Sequence, residues 1–232
     1  MADGEPKRRT SSEAGESRPR TVVIDYGRGN LFGLVRALEQ VGETPVVTET
    51  PQALLATDRI VLPGVGAFGD AMAELRRRGF VEPLIAAGRR GTPFLGICVG
   101  CQLLLDGGDE YGSHAGLGLV RGRARRLPQG NDPETAWRIP NVGWRSIVPS
   151  RAPTVVDDLT ADDMVYFTHS FAPDMLDPDV VAATTRFNGQ EIPVALQTGA
   201  LVGVQFHPER SGPVGLSILK RFLDLQAMMA PT

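Results

Sequence analysis

The sequence is most tightly constrained at Gly91-Thr-Pro-Phe-Leu-Gly-Ile-Cys-Val-Gly-Cys-Gln-Leu-Leu-Leu105. Phe94, Leu95 and Ile97 form a short apolar run that reads as a buried strand, and Val99, Leu103 and Leu104 continue at helical spacing. Gly96 and Gly100 bracket Cys98 between them, the strand–turn–helix context of a nucleophile elbow. A tight turn needs glycine where a Cβ would clash, and it lifts the intervening side chain off the strand's end. The helix that follows offers free N–H groups and a partial positive charge, which favour thiolate over thiol. A free cysteine titrates near ~8.5 and falls to roughly 3.5–7.5 in such surroundings. A cysteine that merely fills a core needs no paired glycines.

The 232 residues suffice for one sizeable core. A hydrophobic share of 42% and a charged share of 22% are those of an ordinary soluble domain. A net charge of -3 gives no electrostatic reason to expect nucleic acid or an anionic membrane surface. No apolar run is long enough to span a bilayer, and the N-terminus lacks the hydrophobic stretch of a secretory signal. Two cysteines three positions apart cannot build a disulfide framework, which fits a reducing cytoplasm.

Residues 1–20 mix Ser, Glu, Arg and Lys without an anchoring apolar side chain and read as a disordered tail. A single domain is expected over 21–228. Thr21–Tyr26 is a buried strand ending in Gly27-Arg-Gly-Asn30, where Asn30 caps a helix whose inner face is Leu31, Leu34, Val35 and Leu38. The glycines 27, 29 and 33 stand one residue off a dinucleotide fingerprint, so a tight turn explains them without a cofactor. Strands follow at 44–49 and 59–62. The latter runs into Pro63-Gly-Val-Gly-Ala-Phe-Gly69, either a tight connection or a set of N–H donors for an anion. Helices are expected at 70–78 and 81–90, with Arg76, Arg77 and Arg78 on a solvated face. Beyond the elbow, 106–118 reads as a glycine-rich loop, 121–126 as a strand, 129–134 as a polar turn and 140–144 as a loop. Strands at 164–171, 180–187, 193–198 and 201–206 precede a closing helix from Pro213. The order, βαβα first and paired strands later, predicts an α/β fold with a largely parallel sheet, helices on both faces and an antiparallel extension. Ligands of such sheets sit beyond the strands' carboxyl ends, where the loops 27–30, 63–69 and 96–100 converge.

A nucleophilic thiol needs a base, and the base needs an orienting group. The chain has three histidines. His114 falls in the expected loop with no fixed acid neighbour, and His169 lies mid-strand. His207 belongs to Gly203-Val-Gln-Phe-His-Pro-Glu209; residues two apart on extended chain project to one side, so Glu209 can fix one tautomer while the other nitrogen faces Cys98.

Gly-Ile-Cys-Val-Gly-Cys-Gln102 together with Val-Gln-Phe-His-Pro-Glu209 resembles the class I (triad) glutamine amidotransferases. Asp25-Tyr-Gly-Arg-Gly-Asn30, Leu62-Pro-Gly-Val-Gly-Ala-Phe68 and Pro140-Asn-Val-Gly-Trp144 narrow the resemblance to the glutaminase subunits of imidazole glycerol phosphate synthases. It covers the chain from Thr21 to the C-terminal helix. The resemblance implies a three-layer αβα fold and a triad of Cys98, His207 and Glu209 that hydrolyses glutamine, with no cofactor and no metal. It implies oxyanion donors at Val99 and along the strand carrying Gly64, Val65 and Gly66. Glutamine would be bound by Gln102 and the backbone of Ser170 and Phe171. Asn30, the loop from Asn141 to Trp144, and Arg210 would face a TIM-barrel cyclase in a heterodimer used for histidine biosynthesis. The family often carries His, Asn, Lys and Met where this chain has Asn141, Arg145, Arg210 and Cys101; none of these touches the triad.

Two other readings compete. A sister amidotransferase on this fold could serve another acceptor, such as a nucleotide-sugar enzyme. From a different class, Cys98-Val-Gly-Cys101 is formally a C-x-x-C redox motif at a helix start, although such a motif does not need His-Pro-Glu or the Pro-Gly-Val-Gly stretch. Zinc is disfavoured because a four-ligand site would have to recruit scattered histidines.

Overall fold

The computed structural model describes residues 20–130, 137–150 and 153–225. The first half alternates β1 (Thr21–Ile24), α1 (Leu31–Gln40), β2 (Val46–Thr48), β3 (Arg59–Gly64), α2 (Phe68–Arg77), α3 (Val81–Arg89), β4 (Phe94–Cys98) and α4 (Val99–Leu103). The second half holds β5 (Leu105–Gly108), β6 (His114–Ala115), β7 (Val120–Arg126), β8 (Asn141–Ser146), β9 (Val148–Pro149), β10 (Met164–His169) and β11 (Phe171–Asp174). It closes with β12 (Val181–Phe187), β13 (Gln190–Thr198), β14 (Leu201–Val204) and α5 (Gly212–Leu223).

The main sheet has eight strands in the order β2-β1-β3-β4-β14-β13-β12-β9. Its β2 to β14 part is parallel, and β13, β12 and β9 continue it antiparallel. Every residue of β1, β3, β4 and β14 is buried, the burial of strands covered on both faces. Right-handed crossovers in opposite directions from β1 place the connecting helices on opposite faces. In keeping with this, α1 packs with α5, while α2 packs with α4. The α5 face of Ile218, Leu219 and Phe222 is wholly buried, each side chain contributing about 1.5–3 kcal/mol on removal from water. The α/β expectation therefore holds.

Three local expectations change. The expected loop at 106–118 contains β5 and β6, in a four-stranded sheet ordered β11-β7-β5-β6. Gly107 and Gly108 sit in strand because a Cβ there would meet the His114 carbonyl at 2.4 Å and the Phe68 ring at 2.7 Å. Residues 140–144 were expected as a loop, yet Asn141–Ser146 pairs antiparallel with Met164–His169 over six registered pairs, long-range pairing that outweighs weak local propensity. Arg78 is not a solvated side chain: it binds Glu74 at 2.7 Å and donates to the Asp25 carbonyl at 3.3 Å. The expected tail falls on residues 1–19, outside the described residues, whereas Arg20 is tied to Asp58 and Ala53. Most of the expected polar turn at 129–134, and the last residues of the 21–228 domain, also lie outside them.

The register fixes where the chemistry sits. Gly64 of β3 lies opposite Cys98 of β4, and Val204 of β14 opposite Ile97, so the carboxyl ends of β1, β3, β4 and β14 open on one place. A Cβ on Gly100 would stand 1.9 Å from the Leu62 carbonyl oxygen. Gly100→Ala is expected to cost more than about 4 kcal/mol or prevent folding. Gly42→Ala, at φ 88 with nothing within 4 Å, should cost only about 1–2 kcal/mol. Urea unfolding of both variants checks the contrast.

Candidate active site

Cys98 ends β4 with φ 56 and ψ -112, a strained conformation for a residue with a Cβ. The strain is held by packing on both sides: a Cβ on Gly96 would lie 2.6 Å from the Gly100 carbonyl oxygen, and one on Gly64 would lie 2.6 Å from the Gly100 nitrogen. The start of α4 is thus pressed against β3 and β4, and the thiol looks into a cleft of about 510 Å³. Val65, Gly66, Val99, Gln102, Ser170, Phe171, His169 and His207 line that cleft with Cys98.

His207 arrives from the end of β14. Its backbone N–H donates to the Tyr166 carbonyl at 2.9 Å, and the Ser211 hydroxyl donates to its carbonyl at 2.6 Å. Residues Pro208–Arg210 form a tight helical turn rather than the extended chain expected, and this turn brings Glu209 back under the ring. Nδ1–H donates to Glu209 Oε1 at 2.8 Å, which leaves Nε2 buried and without a hydrogen bond of good geometry. Burial alone would lower the His207 pKa, but the Cys98 sulfur and the Glu209 carboxylate outweigh it and raise the pKa to about 10. His207 is therefore an imidazolium at neutral pH, its proton held between the Cys98 sulfur and the Glu209 carboxylate.

His169 is built oppositely. Its Nδ1–H donates to the Phe171 carbonyl at 2.9 Å, and its Nε2 accepts from Asn141 Nδ2 at 2.9 Å. Burial, with His207 and Arg145 adding to it, outweighs the help of the Phe171 carbonyl and lowers its pKa to about 4. It is a neutral wall of the cleft.

The comparisons with known proteins bear on this arrangement. The family profile described as glutamine amidotransferase class-I matches residues 22–225. The chain belongs to the class-I glutamine amidotransferase family. It is 42% identical over 206 residues to the imidazole glycerol phosphate synthase subunit HisH of Geobacter sulfurreducens, covering 88% of this chain and 98% of that protein. It is 43% identical over 208 residues to the HisH of Salinibacter ruber, covering 88% and 94%. In fold it is similar to a crystal structure described as a glutamine amidotransferase, with a TM-score of 0.69 at 18% identity over 89% of this chain and 98% of that one. It is likewise similar to PurLQS from Thermotoga maritima, with a TM-score of 0.68 at 20% identity over 91% and 100%.

Within this amidotransferase fold the expected site residues fall into two groups. Cys98, His207, Gln102, Val99, Val65, Gly66, Ser170 and Phe171 meet at the cleft, and Glu209 and Gly64 sit immediately behind it. Asn30 caps α1 through Gly33, and Arg210 and Trp144 are exposed around Tyr166. Asn141 departs from its expected place at a partner face: the alternation along β8 turns Val142 and Trp144 outward and Asn141 inward, onto His169 and Arg145. His114 is half-buried against Gly69, away from the cleft lining. Sequence reasoning missed Gln205, Thr168, Glu110 and Tyr111. Gln205 stood in plain view beside Phe206 and His207, but nothing in a strand pattern says that its amide reaches the elbow. The C-x-x-C reading loses support, because Cys101 is wholly buried against Gly203 and burial, with the neighbouring Cys98 charge, pushes its thiol well above the usual range. Among the described residues no group of three or more His, Cys, Asp and Glu could hold a metal ion.

The two histidines give opposite pH dependences. The raised pKa of His207 supplies stability that is full below its unfolded value near ~6.5 and is lost as pH rises toward about 10. The depressed pKa of His169 supplies stability that is full above ~6.5 and is lost as pH falls toward about 4. Nitrogen-15 NMR of the histidine rings should show one imidazolium persisting past neutrality and one ring still neutral at pH 5. Glu209→Gln should lower the first midpoint and leave the second in place.

Proposed function

We propose that the chain is the glutaminase subunit of an imidazole glycerol phosphate synthase, acting in histidine biosynthesis through Cys98, His207 and Glu209. The observation that carries the reading is a strained nucleophile and a carboxylate-held imidazole lining one cleft, in a chain over 40% identical to named subunits of that complex. Cys98 sulfur attacks the glutamine carboxamide carbon and forms a tetrahedral oxyanion. The His207 proton passes to the leaving nitrogen, the C–N bond breaks, and ammonia departs from a thioester. Water, deprotonated by His207, attacks the thioester and releases glutamate and the free thiolate. Glu209 keeps the ring in the productive tautomer and stabilises its charge. Glutamine and water are consumed, and glutamate and ammonia are produced.

Two backbone N–H groups are candidates for the oxyanion. That of Val99 opens α4 beside the sulfur. That of Val65 donates instead to the Arg28 carbonyl at 3.2 Å. In this conformation the oxyanion site lacks one donor. That N–H belongs to the Gly64–Val65 peptide, and the glycine on its N-terminal side has no Cβ to oppose a rotation of the unit. The partner's role would be to favour that turn.

The partner we assign is a TIM-barrel cyclase, and its docking face is the outer side of the β8–β10 ribbon. Val142, Trp144 and Met164 are 52%, 49% and 44% exposed there, and Arg210 covers the Tyr166 ring at 4.1 Å. This face leads to the cleft through Thr168. Two departures from the family pattern, Asn141 and Arg145, hydrogen-bond to each other on the inner side, so they leave this outer face unaltered. Cytoplasmic residence, with both thiols free, fits the reading.

Cys98→Ala should abolish glutamine-dependent synthesis in the complex while synthesis from added ammonium survives. Loss of both in an assembled complex would refute the division of labour. Steady-state glutaminase kinetics should show a nearly silent free subunit. Cyclase plus its nucleotide substrate should raise kcat by about 10²–10³-fold with little change in KM, the size of one oxyanion donor. Full activity in the free subunit would exclude the turn of the Val65 peptide as the switch.

A further inference from the structure

We propose that Gln205 is a positioning residue of the glutaminase site: its carboxamide ties the Cys98 sulfur and the Gln102 side chain into one hydrogen-bonded unit and donates to the sulfur as negative charge gathers there. Gln205 has no exposed surface, and its backbone N–H donates to the Val194 carbonyl at 2.8 Å. A glutamine side chain without access to water must find its partners inside the protein. Its Oε1 accepts from Gln102 Nε2 at 2.9 Å, and its Nε2 points at Cys98 Sγ at 3.7 Å.

The direction of this amide is forced. Gln102 Nε2 also donates to the Phe171 carbonyl at 2.9 Å, so both its hydrogens are committed. Gln205 must therefore turn its oxygen toward Gln102, and its N–H₂ is left facing sulfur. The same chain leaves Gln102 Oε1 buried and unpartnered at the cleft wall, an acceptor held ready for the substrate. An N–H donor to a charged acceptor is worth roughly twice a neutral pair, so the bond strengthens in the thiolate and weakens in the thioester. Gln205 thus supports the attacking form of sulfur, and through Gln102 it also sets the substrate pocket.

The remaining titratable groups around the sulfur are His207 with Glu209 behind it, Tyr26 at the end of β1 with Arg28 beside it, Cys101 on α4 and His169. None is altered by an uncharged replacement at 205, so a shift in thiolate formation in such a variant reports the amide itself.

The proposal rests on the glutaminase reading for its kinetic consequence, but the thiolate can be measured without turnover. The full chain, bound to its cyclase, is alkylated with iodoacetamide across pH, with Cys98 modification followed by peptide mass spectrometry. Gln205→Met is expected to raise the alkylation midpoint by about one pH unit, lower kcat about tenfold and raise KM several-fold. Gln205→Glu restores an acceptor for Gln102 but not the N–H donor. KM should return toward the native value while the midpoint rises at least as far as in Gln205→Met, because the carboxyl adds repulsion to the lost donor; simple loosening of the core would not produce that split. Should Gln205→Met fail to fold, Gln205→Leu, which likewise has neither a donor nor a charge, carries the test. A midpoint unchanged within about 0.2 units in a folded variant overturns the proposal while leaving the glutaminase reading intact. A shifted midpoint in a protein that never hydrolyses glutamine sinks the glutaminase reading and keeps the tie to sulfur.

Discussion

The site depends on one unfavourable backbone conformation, Cys98 at φ 56, and on the close packing that holds it. A left-handed residue bearing a Cβ costs on the order of 1–3 kcal/mol and persists only where its surroundings over-determine it. Here they do so through backbone contact: α4 starts so near β3 and β4 that neither Gly96 nor Gly100 has room for a methyl group. The parallel pairing of β3, β4 and β14 then brings the Val65 peptide, Cys98 and His207 to one mouth. Eight strands and their helices serve to keep three chain ends in register.

Around that mouth, chemically similar side chains acquire different tasks from their surroundings. His207 and His169 line the same cleft, yet one holds its proton to about pH 10 and the other sheds it above about 4. The difference lies in what each ring nitrogen faces. A carboxylate and a sulfur stand beside His207, while a carbonyl and an amide in an apolar wall stand beside His169. The two cysteines divide in the same way. Cys98 stands at the elbow, while Cys101, one helical turn on, is sealed against β14.

Much of this was legible in the sequence because it is written in short-range terms. Paired glycines announce the elbow, unbroken apolar runs announce strands buried on both faces, and His-Pro-Glu places a carboxylate beside an imidazole. What was not legible depends on pairing across the chain. The strand character of Asn141–Ser146 exists only beside Met164–His169, and the inward turn of Asn141 follows from that register. The strands at Leu105–Gly108 and His114–Ala115 were hidden by glycines that are there for close approach. The reach of Gln205 to Cys98 spans more than a hundred positions and leaves no local signal. The engagement of the Val65 N–H with Arg28 is likewise a contact between two loops that a linear reading can place near each other but cannot orient.

In the proposed function Cys98, activated by His207, is the sulfur that attacks the glutamine carboxamide. The most direct measurement is covalent trapping with a glutamine analogue whose carboxamide is replaced by an electrophilic ketone, followed by peptide mass spectrometry. A single adduct on Cys98 is expected, none on Cys101, with a rate of labelling that falls sharply in His207→Ala but not in His114→Ala. An adduct on Cys101, or labelling of Cys98 that is indifferent to His207, would contradict that role.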